Sequence, residues 1–411
     1  MLKVTPKILK GFRDFLPVEA RKRQYVISTL KQVFEQYGFE PLETPVLEYE
    51  EILAGKYGDE GDQLMYRFED NGQRRVAMRY DQTVPTARVV AQYANTLAFP
   101  FKRYQIQPVW RAENTQKGRY REFVQCDIDT IGVDSALADA EIIATAIEFC
   151  KKLGFKKFKV LINDRKVFTN LSTQAVITID KLKKIGEDGV CEELIKKQIV
   201  GSIAEAKIFL QELLDRQPTE RLVEIFKSLE QFGINQEIVE FSPTLARGLN
   251  YYTGMIFEIE VADYPVGSIC GGGRYDELIG MFVDRQIPAV GLALGFDRTI
   301  EAMEALGLFP DNIEKSTTQV LVTIFSDELK QKSLEIATKL RNENVNAEIY
   351  LGEIKDKNLE KQLKYADSKK IPYVLILGPQ EAEKNIVTLR NMQTREQDEG
   401  NLSEIISKLI Q

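Results

Sequence analysis

The sequence predicts two domains in a chain of 411 residues: an α+β domain, in which an antiparallel sheet is flanked by helices, and a C-terminal α/β domain. Two patterns carry this prediction. Between residues 64 and 132, short segments alternate polar and apolar residues as strands of a half-buried sheet do, and Asn71–Gly72 between two of them indicates a hairpin. Beyond residue 319, strand-like and helix-like segments alternate, which is typical of a mostly parallel sheet.

The domain boundaries follow from changes in composition along the chain. We expect the first domain to span residues 1–310, with a helical insertion at about 165–238, where Leu, Ile, Lys and Glu follow a helical period. A polar stretch that contains Pro310 predicts a linker at residues 311–319. The α/β domain then occupies residues 320–411.

The elements of the first domain can be followed in order. Val26, Leu30, Val33 and Phe34 have helical spacing and predict a helix that ends near Gly38. A short extended segment, PLETPVLEY, follows, and the alternating segments then lead to a helix in DAEIIATAIEFCKKLG and a strand in KFKVLIND. After the insertion we expect strands in MIFEIEVADY and GSICGGGRY, and a strand that runs into a helix in AVGLALGFDRTIEAMEALG.

The composition excludes several classes of protein. Histidine is absent from the chain, so Ser-His-Asp hydrolases, Cys-His hydrolases and HExxH metalloproteases are excluded. The four cysteines form no CxxC pair, and we therefore expect no metal site built from protein side chains. The net charge of −7 argues against non-specific binding of polyanions but leaves room for a local basic face.

The sequence contains no signal that would direct the chain into or across a membrane. No run of residues approaches the apolar length that a membrane span needs, and the N-terminus has no apolar signal segment. We therefore expect a cytoplasmic protein with no membrane partner.

Arg111 and Glu113, in VWRAEN, are the first candidate binding residues. Arginine holds phosphate or carboxylate groups through two hydrogen bonds, and a carboxylate two residues further along a strand points the same way. Glu113 in that position can accept a hydrogen bond from an exocyclic amine such as that of adenine. The alternative is an ordinary salt bridge across two strands.

The following strand carries polar residues on one face, because alternate residues of a strand point to the same side. These residues are Arg121, Gln125, Asp127 and Asp129. They predict the floor of a site for a polar ligand that is anionic at one end and cationic or hydrogen-donating at the other.

Three further segments are weaker indications when each is taken alone. Arg247 stands before two tyrosines in LARGLNYYTG, and CGGGRYDELIG places three glycines before Arg274 and Tyr275. Arg298 begins a helix after AVGLALGFD, where an arginine can reach a phosphate. The tyrosines are alternatively core residues, and the glycines form either a bulge or a place where a ligand approaches the backbone.

Taken together, the order and spacing of these segments resemble one family. RYQIQPVWRAENTQKGRYREFVQCDIDTIG is similar to the second signature motif of class II aminoacyl-tRNA synthetases, in the form seen in histidyl-tRNA synthetases, and AVGLALGFDR resembles the third. LARGLNYYTG and GGGRYDELIG resemble two motifs peculiar to the histidine family, and KGFRDFLP and AMRYDQTVPTAR also match. The likeness covers nearly the whole chain, with the helical insertion as its weakest part.

The resemblance implies a reaction in two steps: activation of histidine with ATP to histidyl-adenylate, then transfer to the 3′ end of tRNA(His). It implies that Arg111 holds the α-phosphate of ATP, Arg298 the γ-phosphate, and Glu113 the adenine amine. Arg119 would lie on a mobile loop near ATP or the tRNA end, and Arg247 would bridge the substrate carboxylate and the α-phosphate. Mg²⁺ would share the charge of the pyrophosphate.

For the amino acid, the resemblance implies two groups of contacts. Asp81, Thr83 and Gln125 belong to the histidine site, with Asp81 and Gln125 on the ammonium group. Asp129 and Tyr252 would contact the imidazole ring. Tyr275 would lie nearby.

Two positions depart from the family pattern. Asn250 stands where the family usually has Asp, which puts the support of Arg247 in doubt. Asp129 stands where many bacterial members carry Glu, so the contact with the ring is expected to be shorter or bridged by water.

The resemblance also implies macromolecular partners. PLETPVLEY corresponds to the first class II motif, through which the family forms homodimers, and Pro45 fits that motif. The C-terminal domain is similar to the family's anticodon-binding domain. It carries a group of lysines that form either a solvated face or a surface for tRNA: Lys355, Lys357, Lys361, Lys364, Lys369 and Lys370.

Two questions remain open at this stage: whether the chain is catalytically active, and why it contains no histidine. A catalytically silent relative of the synthetase, which regulates histidine biosynthesis or senses uncharged tRNA, would share the fold. The absence of histidine suggests a chain whose own translation is independent of charged histidine tRNA, and an engineered or reconstructed sequence is the other explanation. The first explanation predicts continued synthesis of this chain in histidine-starved cells; stalling equal to that of other proteins would reject it.

Overall fold

The computed structural model describes residues 4–55, 64–115, 119–247, 251–352 and 359–410. The chain divides into two compact units, Met1–Phe309 and Pro310–Gln411. Among the described residues, no helix is both long and apolar enough to cross a membrane.

An eight-stranded sheet forms the centre of the first unit. Its strands, in chain order, are β1 (Glu40–Pro41), β5 (Phe101–Trp110), β6 (Glu122–Ile131), β7 (Phe158–Asp164), β8 (Val239–Phe241), β9 (Met255–Val261), β10 (Cys270–Arg274) and β11 (Ala289–Gly295). They are arranged in the order β1-β5-β6-β11-β10-β9-β7-β8. The six central strands pair antiparallel as predicted, whereas the two edge strands, β1 and β8, pair parallel to their neighbours.

Helices cover one face of this sheet. The principal ones are α1 (Pro17–Gln36), α4 (Ala136–Lys152) and α9 (Phe296–Ala305). Helix α4 begins where the Ser135 side chain accepts a hydrogen bond from the Ala138 N–H, which satisfies a free donor of the first turn. Cys126 and Ile128 of β6 join this apolar core. Because strand residues alternate in direction, the odd-numbered residues of β6 face the opposite side.

A second, three-stranded sheet lies within the first unit, in the order β2-β4-β3. It comprises β2 (Leu47–Tyr49), β3 (Arg67–Glu69) and β4 (Arg75–Met78). Two helices accompany it, α2 (Glu50–Leu53) and α3 (Thr83–Tyr93). Val84, Ala87 and Val90 of α3 pack in a core that also contains Tyr275, so α3 lies close to the segment after β10.

Residues 165–238 form helices joined by loops, with no strand in this fully described stretch. The helices are α5 (Thr173–Ile179), α6 (Leu182–Lys196), α7 (Ile203–Leu214) and α8 (Glu220–Gln231), with 3₁₀ turns at Arg165–Phe168 and Gln236–Ile238. They carry their own small apolar cores, one of them around Val190, Leu194 and Ala206.

The second unit contains a five-stranded sheet in the order β13-β12-β14-β15-β16. Its strands are β12 (Val320–Val322), β13 (Ala347–Ile349), β14 (Tyr373–Ile376), β15 (Val387–Asn391) and β16 (Gln397–Gly400). Its helices are α10 (Lys330–Asn342), α11 (Leu359–Ser368), α12 (Pro379–Lys384) and α13 (Leu402–Ile410), and a 3₁₀ turn, Asp311–Glu314, precedes them. The first three strands in chain order pair parallel, but β15 and β16 add an antiparallel hairpin that the sequence patterns did not predict.

Candidate active site

The face of the large sheet opposite the core carries polar side chains on β5 and β6, beside a strip of β11 whose residues on that face are all Ala or Gly. We call this strip, with the polar floor beside it, the trough. Across the sheet, Asp127 of β6 pairs with Gln105 of β5 on one side and with Ala293 of β11 on the other. Asp129 lies in the same way between Arg103 and Gly291. Polar side chains therefore stand on β5 and β6, while β11 next to them has almost none.

Two of the glycines of CGGG lie directly under side chains of the protein itself. A Cβ atom on Gly271 would lie 2.3 Å from Arg247 Nη1, and one on Gly273 would lie 2.8 Å from the Tyr252 ring. A Cβ atom on Gly291 of β11 would lie 2.0 Å from Asp129 Oδ1. Glycine is thus required at these positions because three predicted site residues lie directly over the backbone.

Asp129 is buried at one end of the floor. Its Oδ2 lies 2.5 Å from Arg103 Nη2, and its Oδ1 accepts a hydrogen bond from the Tyr275 hydroxyl. Arg103 is completely buried. Burial raises the pKa of Tyr275 well above its usual value and raises that of Tyr252 as well, so both phenols stay protonated at neutral pH and can donate.

Gln125 and Asp127 form the middle of the floor, and both are buried. Gln125 Nε2 donates to Asp127 Oδ2 at 2.9 Å. Burial raises the pKa of the Asp127 carboxyl well above its usual value, and the neighbouring Asp129 and Asp81 carboxylates raise it further. The nearby Arg103 acts in the opposite direction.

Two of the predicted catalytic arginines meet at Ser268. Arg247 Nη1 donates to Glu258 Oε1 at 2.6 Å and to Ser268 Oγ at 3.4 Å. Arg298 Nη1 donates to the Ser268 carbonyl oxygen at 2.7 Å. The site therefore has a basic end at the edge of the trough, and Glu258 holds Arg247 in place.

Arg111, Glu113 and Arg119 form a second group beyond β5. Arg111 Nη1 and Arg119 Nη1 lie 3.9 and 3.8 Å from the two carboxylate oxygens of Glu113. Arg111 Nε also donates to the Tyr80 carbonyl oxygen at 2.9 Å. That bond ties Arg111 to the start of α3, where Asp81 is buried and Thr83 is the first helical residue.

Four residues that support the site had no role in the sequence-based prediction, namely Arg103, Glu258, Arg13 and Asp297. Asp297, next to Arg298, contacts Arg13 at 3.0 Å and Arg23 at 2.6 Å. The Arg13 guanidinium also lies 3.2 Å from the centre of the Tyr120 ring. Three of the four lie in segments that matched the family without a function being assigned to them: Arg103 in RYQIQPVWRAEN, Asp297 in AVGLALGFDR and Arg13 in KGFRDFLP.

Other positions singled out from the sequence have structural roles or lie outside the described residues. Arg274 is buried and contacts Asp139 at 2.5 Å and Asp276 at 3.1 Å, which ties β10 to α4. Asn250 lies outside the described residues. Among the described residues, no group of three or more His, Cys, Asp or Glu side chains could hold a metal ion.

Three lysines of the predicted basic face in the second unit are paired with glutamates. Lys369 lies 2.5 Å from Glu348, Lys370 lies 2.9 Å from Glu314, and Lys364 lies 2.7 Å from its own helix neighbour Glu360. These pairs reduce the positive charge of that face. Lys355 and Lys357 lie outside the described residues.

A mixed sheet with helices on one face and an arginine-rich ligand floor on the other is the architecture of class II aminoacyl-tRNA synthetases. Comparisons with known sequences and structures identify the family within that class.

The sequence model named Histidyl-tRNA synthetase matches residues 11–201 and 198–299, and that named Anticodon binding domain matches residues 319–411. The histidine–tRNA ligase of Cytophaga hutchinsonii is 39% identical over 454 residues, covering 98% of this chain and 99% of that protein. That of Rhodopirellula baltica is 38% identical over 423 residues, covering 96% and 95%. The crystal structure of histidyl-tRNA synthetase from Nostoc sp. PCC 7120 has a TM-score of 0.86 and 30% identity, covering 99% of both chains. The chain belongs to the histidyl-tRNA synthetase family.

Proposed function

We propose that this chain is a histidine–tRNA ligase. It activates histidine with ATP to form histidyl-adenylate and transfers the histidyl group to the 3′ end of tRNA(His). The observation that carries the proposal is a single trough with Arg247 and Arg298 at its basic end and the buried Gln125 and Asp127 along its floor. That arrangement suits an amino acid whose carboxylate must meet a phosphate.

In the first step, a carboxylate oxygen of histidine attacks the α-phosphorus of ATP, and the bond to pyrophosphate breaks. Both reactants are anions, so the site must supply positive charge where negative charge develops. We assign Arg111 to the α-phosphate, Arg298 to the γ-phosphate and Arg247 to the bridge between the carboxylate and the α-phosphate. Glu113 accepts from the adenine amine, and Arg119 lies beside it, near ATP or the tRNA end.

Mg²⁺ fits this site as an ion carried mainly by ATP. Magnesium is commonly bound through one or two carboxylates together with substrate phosphates. The described residues contain no cluster of carboxylates for it, so the phosphates would supply most of its ligands. When bound, the ion neutralises charge on the departing pyrophosphate.

In the second step, a ribose hydroxyl of the tRNA attacks the carbonyl carbon of the adenylate, and AMP leaves. The hydroxyl proton must go to a base, and the chain has no imidazole to offer. A phosphate oxygen of the adenylate is the proposed acceptor, and the proton leaves with AMP.

Selection of histidine rests on hydrogen bonds. Asp81, Thr83 and Gln125 form the ammonium end of the site, and Asp129, Tyr252 and Tyr275 form the ring end. A site that leaves its buried polar groups unpaired with the wrong ligand can reject that ligand by about 10⁴-fold or more.

The proposed partners beyond histidine and ATP are tRNA(His), bound through the C-terminal domain, and a second copy of the chain. Val46, Leu47 and Tyr49, in the segment expected to form the dimer, are 40%, 43% and 52% exposed in the single chain. A second copy packed on this surface would cover them. Light scattering coupled to size-exclusion chromatography tests the dimer, and Leu47→Glu should shift its mass to that of a monomer. A cytoplasmic location follows from the proposed reaction, because the charged tRNA is used in translation.

The decisive experiment is ATP–pyrophosphate exchange with each of the twenty amino acids in turn. We expect exchange with histidine alone. Exchange with none would instead indicate the catalytically silent relative. Nothing observed favours that alternative, since Arg111, Glu113, Arg247 and Arg298 are all present and the anticodon-binding domain matches over residues 319–411.

A further inference from the structure

The N-terminal segment, residues 10–15, passes along the connection between β5 and β6, of which residues 111–115 and 119–121 are described. The Gly11 carbonyl oxygen accepts a hydrogen bond from the Arg121 N–H at 2.9 Å. The φ angle of Gly11 is +90°, and a Cβ atom there would lie 2.7 Å from Thr115 Cγ2 and 2.8 Å from Arg121 Cδ. Glycine lets the segment approach both sides of this connection closely.

The hydrogen bond from Arg121 to Gly11 links the N-terminal segment to Arg111 and Glu113. The Arg121 carbonyl oxygen accepts from the Arg111 N–H at 2.9 Å, and Arg121 Nε donates to the Glu113 carbonyl oxygen at 3.1 Å. The backbone of Arg121 is therefore bonded to Gly11 through its N–H and to Arg111 through its carbonyl. A shift of the N-terminal segment would move the backbone that carries Arg111 and Glu113.

The same segment contacts the start of α9 through Arg13. The Arg13 guanidinium lies 3.2 Å from the centre of the Tyr120 ring, and Arg13 Nη2 lies 3.0 Å from Asp297 Oδ1. Asp297 directly precedes Arg298 in the chain. Arg13 thus joins the β5–β6 connection to the helix that carries Arg298.

Two other ion pairs already hold α1 against α9. Arg23 Nη1, on α1, donates to Asp297 Oδ1 at 2.6 Å, and Lys22 Nζ lies 2.8 Å from Glu304 Oε1. These pairs join the two helices to each other, whereas Arg13 joins α9 to the β5–β6 connection. The contacts of Arg13 therefore do more than secure the packing of α1.

The distance between the connection and α9 matters because ATP fixes the distance between its own phosphates. Arg111 and Arg298, assigned to the α- and γ-phosphates, come from separate parts of the chain. Both can bind one ATP molecule when the connection and the start of α9 are held at matching positions. An error of about 1 Å in such positioning can cost about 100-fold in rate.

We propose that the N-terminal segment sets the spacing between Arg111 and Arg298. Arg13 is the positioning residue of this segment and acts through Tyr120 and Asp297. The inference rests on the proposed function, because it takes ATP as the ligand.

Calorimetric titration of the full chain with ATP in the presence of Mg²⁺, and with AMP, tests the proposal. AMP is the matched control ligand, because its adenine and its single phosphate are both assigned to the β5–β6 connection and can move with it. Arg13→Ala should weaken ATP binding by about 10- to 100-fold, the effect of losing a hydrogen bond to a charged group, and leave AMP affinity nearly unchanged. Unaltered ATP binding would overturn the proposal, as would an equal loss for ATP and AMP.

Lys22→Ala is the matched control variant, because it removes one ion pair between α1 and α9 and leaves Arg13 in place. We expect its ATP affinity to equal that of the wild type. A loss equal to that of Arg13→Ala would overturn the proposal, since the packing of α1 on α9 would then explain both results. Arg13→Lys should restore part of the ATP affinity, because lysine keeps the charge beside Asp297 but cannot lie flat on the Tyr120 ring.

Tyr120→Leu tests the same contact with Arg13 unaltered, so it does not depend on the folding of Arg13→Ala. It should weaken binding of ATP more than that of AMP. The double variant of Arg13→Ala and Tyr120→Leu should lose no more ATP affinity than Arg13→Ala alone, since both changes remove one contact. Losses that multiply would overturn the proposal. ATP binding of the expected kind without pyrophosphate exchange for any amino acid would count against the proposed function alone.

Discussion

The two units differ in whether the polar side chains that they bury carry a charge. Within the described residues, the buried polar side chains of the second unit are all uncharged: Thr323, Ser333, Gln362 and Thr388. In the described part of the first unit, nine charged residues are buried: Glu48, Arg79, Asp81, Arg103, Asp127, Asp129, Asp139, Asp164 and Arg274. Three of these nine, Arg103, Asp127 and Asp129, lie on the floor of the trough.

The contrast shows where the chain accepts an energetic cost. Removing a charge from water is unfavourable unless a partner compensates it, and apolar side chains would fill the same space more stably. The second unit buries no charged side chain among its described residues and so avoids this cost. The first sheet keeps three of its buried charges, Arg103, Asp127 and Asp129, beside the trough, where a ligand can use them.

Arg103→Ala should have the largest effect on stability, because it removes a charge that is completely buried in the first unit. Removing one partner of a buried ion pair typically costs about 3–5 kcal/mol, since the other charge is left uncompensated. Trp110, the only tryptophan, lies in β5, so its fluorescence reports denaturant unfolding of the first unit.

A double replacement, Arg103→Met with Asp129→Leu, would make the floor resemble the second sheet. We expect stability at or above that of the wild type, together with loss of histidine-dependent exchange. A double variant as unstable as Arg103→Ala would contradict the explanation.

Arg247→Ala should come next, with a loss of turnover in pyrophosphate exchange of about 10²–10³-fold and little change in the Michaelis constant. The reason is that its charge matters most when the carboxylate attacks phosphorus. Lys183→Ala is the control, because Lys183 pairs with Glu260 on β9, the strand that also carries Glu258, but is exposed. A change confined to the Michaelis constant would count against the role of Arg247.

A smaller effect is expected in the second unit from Ile405→Val, at a fully buried position. Loss of one methylene in a core costs about 0.5–1.5 kcal/mol. Hydrogen exchange of residues 402–410 should become faster, while Trp110 fluorescence and pyrophosphate exchange stay unchanged. A shift in the Trp110 transition would show that the two sheets are energetically coupled.

The smallest effect concerns Glu193 on the helical insertion, a partly exposed charge that differs from the buried charges of the floor. Hydrogen bonds from Lys181 and Lys197 lower the pKa of Glu193 to about 2, from an ordinary 4.5. A carboxyl whose pKa is lowered by folding stabilises the folded state above its ordinary pKa and loses this contribution as the pH falls toward 2. Glu193→Gln should therefore melt slightly below the wild type at pH 7, and the difference should vanish near pH 2. A difference that is constant with pH would reject this explanation.

Much of the architecture was predictable because it repeats locally. The period of two in β6 placed Gln125, Asp127 and Asp129 on one face, and helical spacing marked α1 and the helices of the insertion. The β15–β16 hairpin was missed because Gln397–Gly400 contains no apolar residue to alternate.

The support of the site could not be predicted in the same way. Arg103 begins the segment that resembles the second class II motif, but nothing in that segment assigns it a function, and its partner Asp129 is identified only once the register of β5 with β6 is known. The glycines of CGGG marked a close approach to the backbone, but the sequence could not show that Arg247 and Tyr252 are the side chains that lie over Gly271 and Gly273. Register and side-chain direction are tertiary properties, and single segments do not encode them.

A trough built without any histidine has a practical consequence for spectroscopy. The chain contributes no imidazole, so in a complex the ligand's ring would give the only imidazole signals in a proton or nitrogen NMR spectrum. Its tautomer and titration could then be followed without isotope editing or mutagenesis of the protein. The NMR signals of bound histidine would thus report directly on the groups that surround its ring.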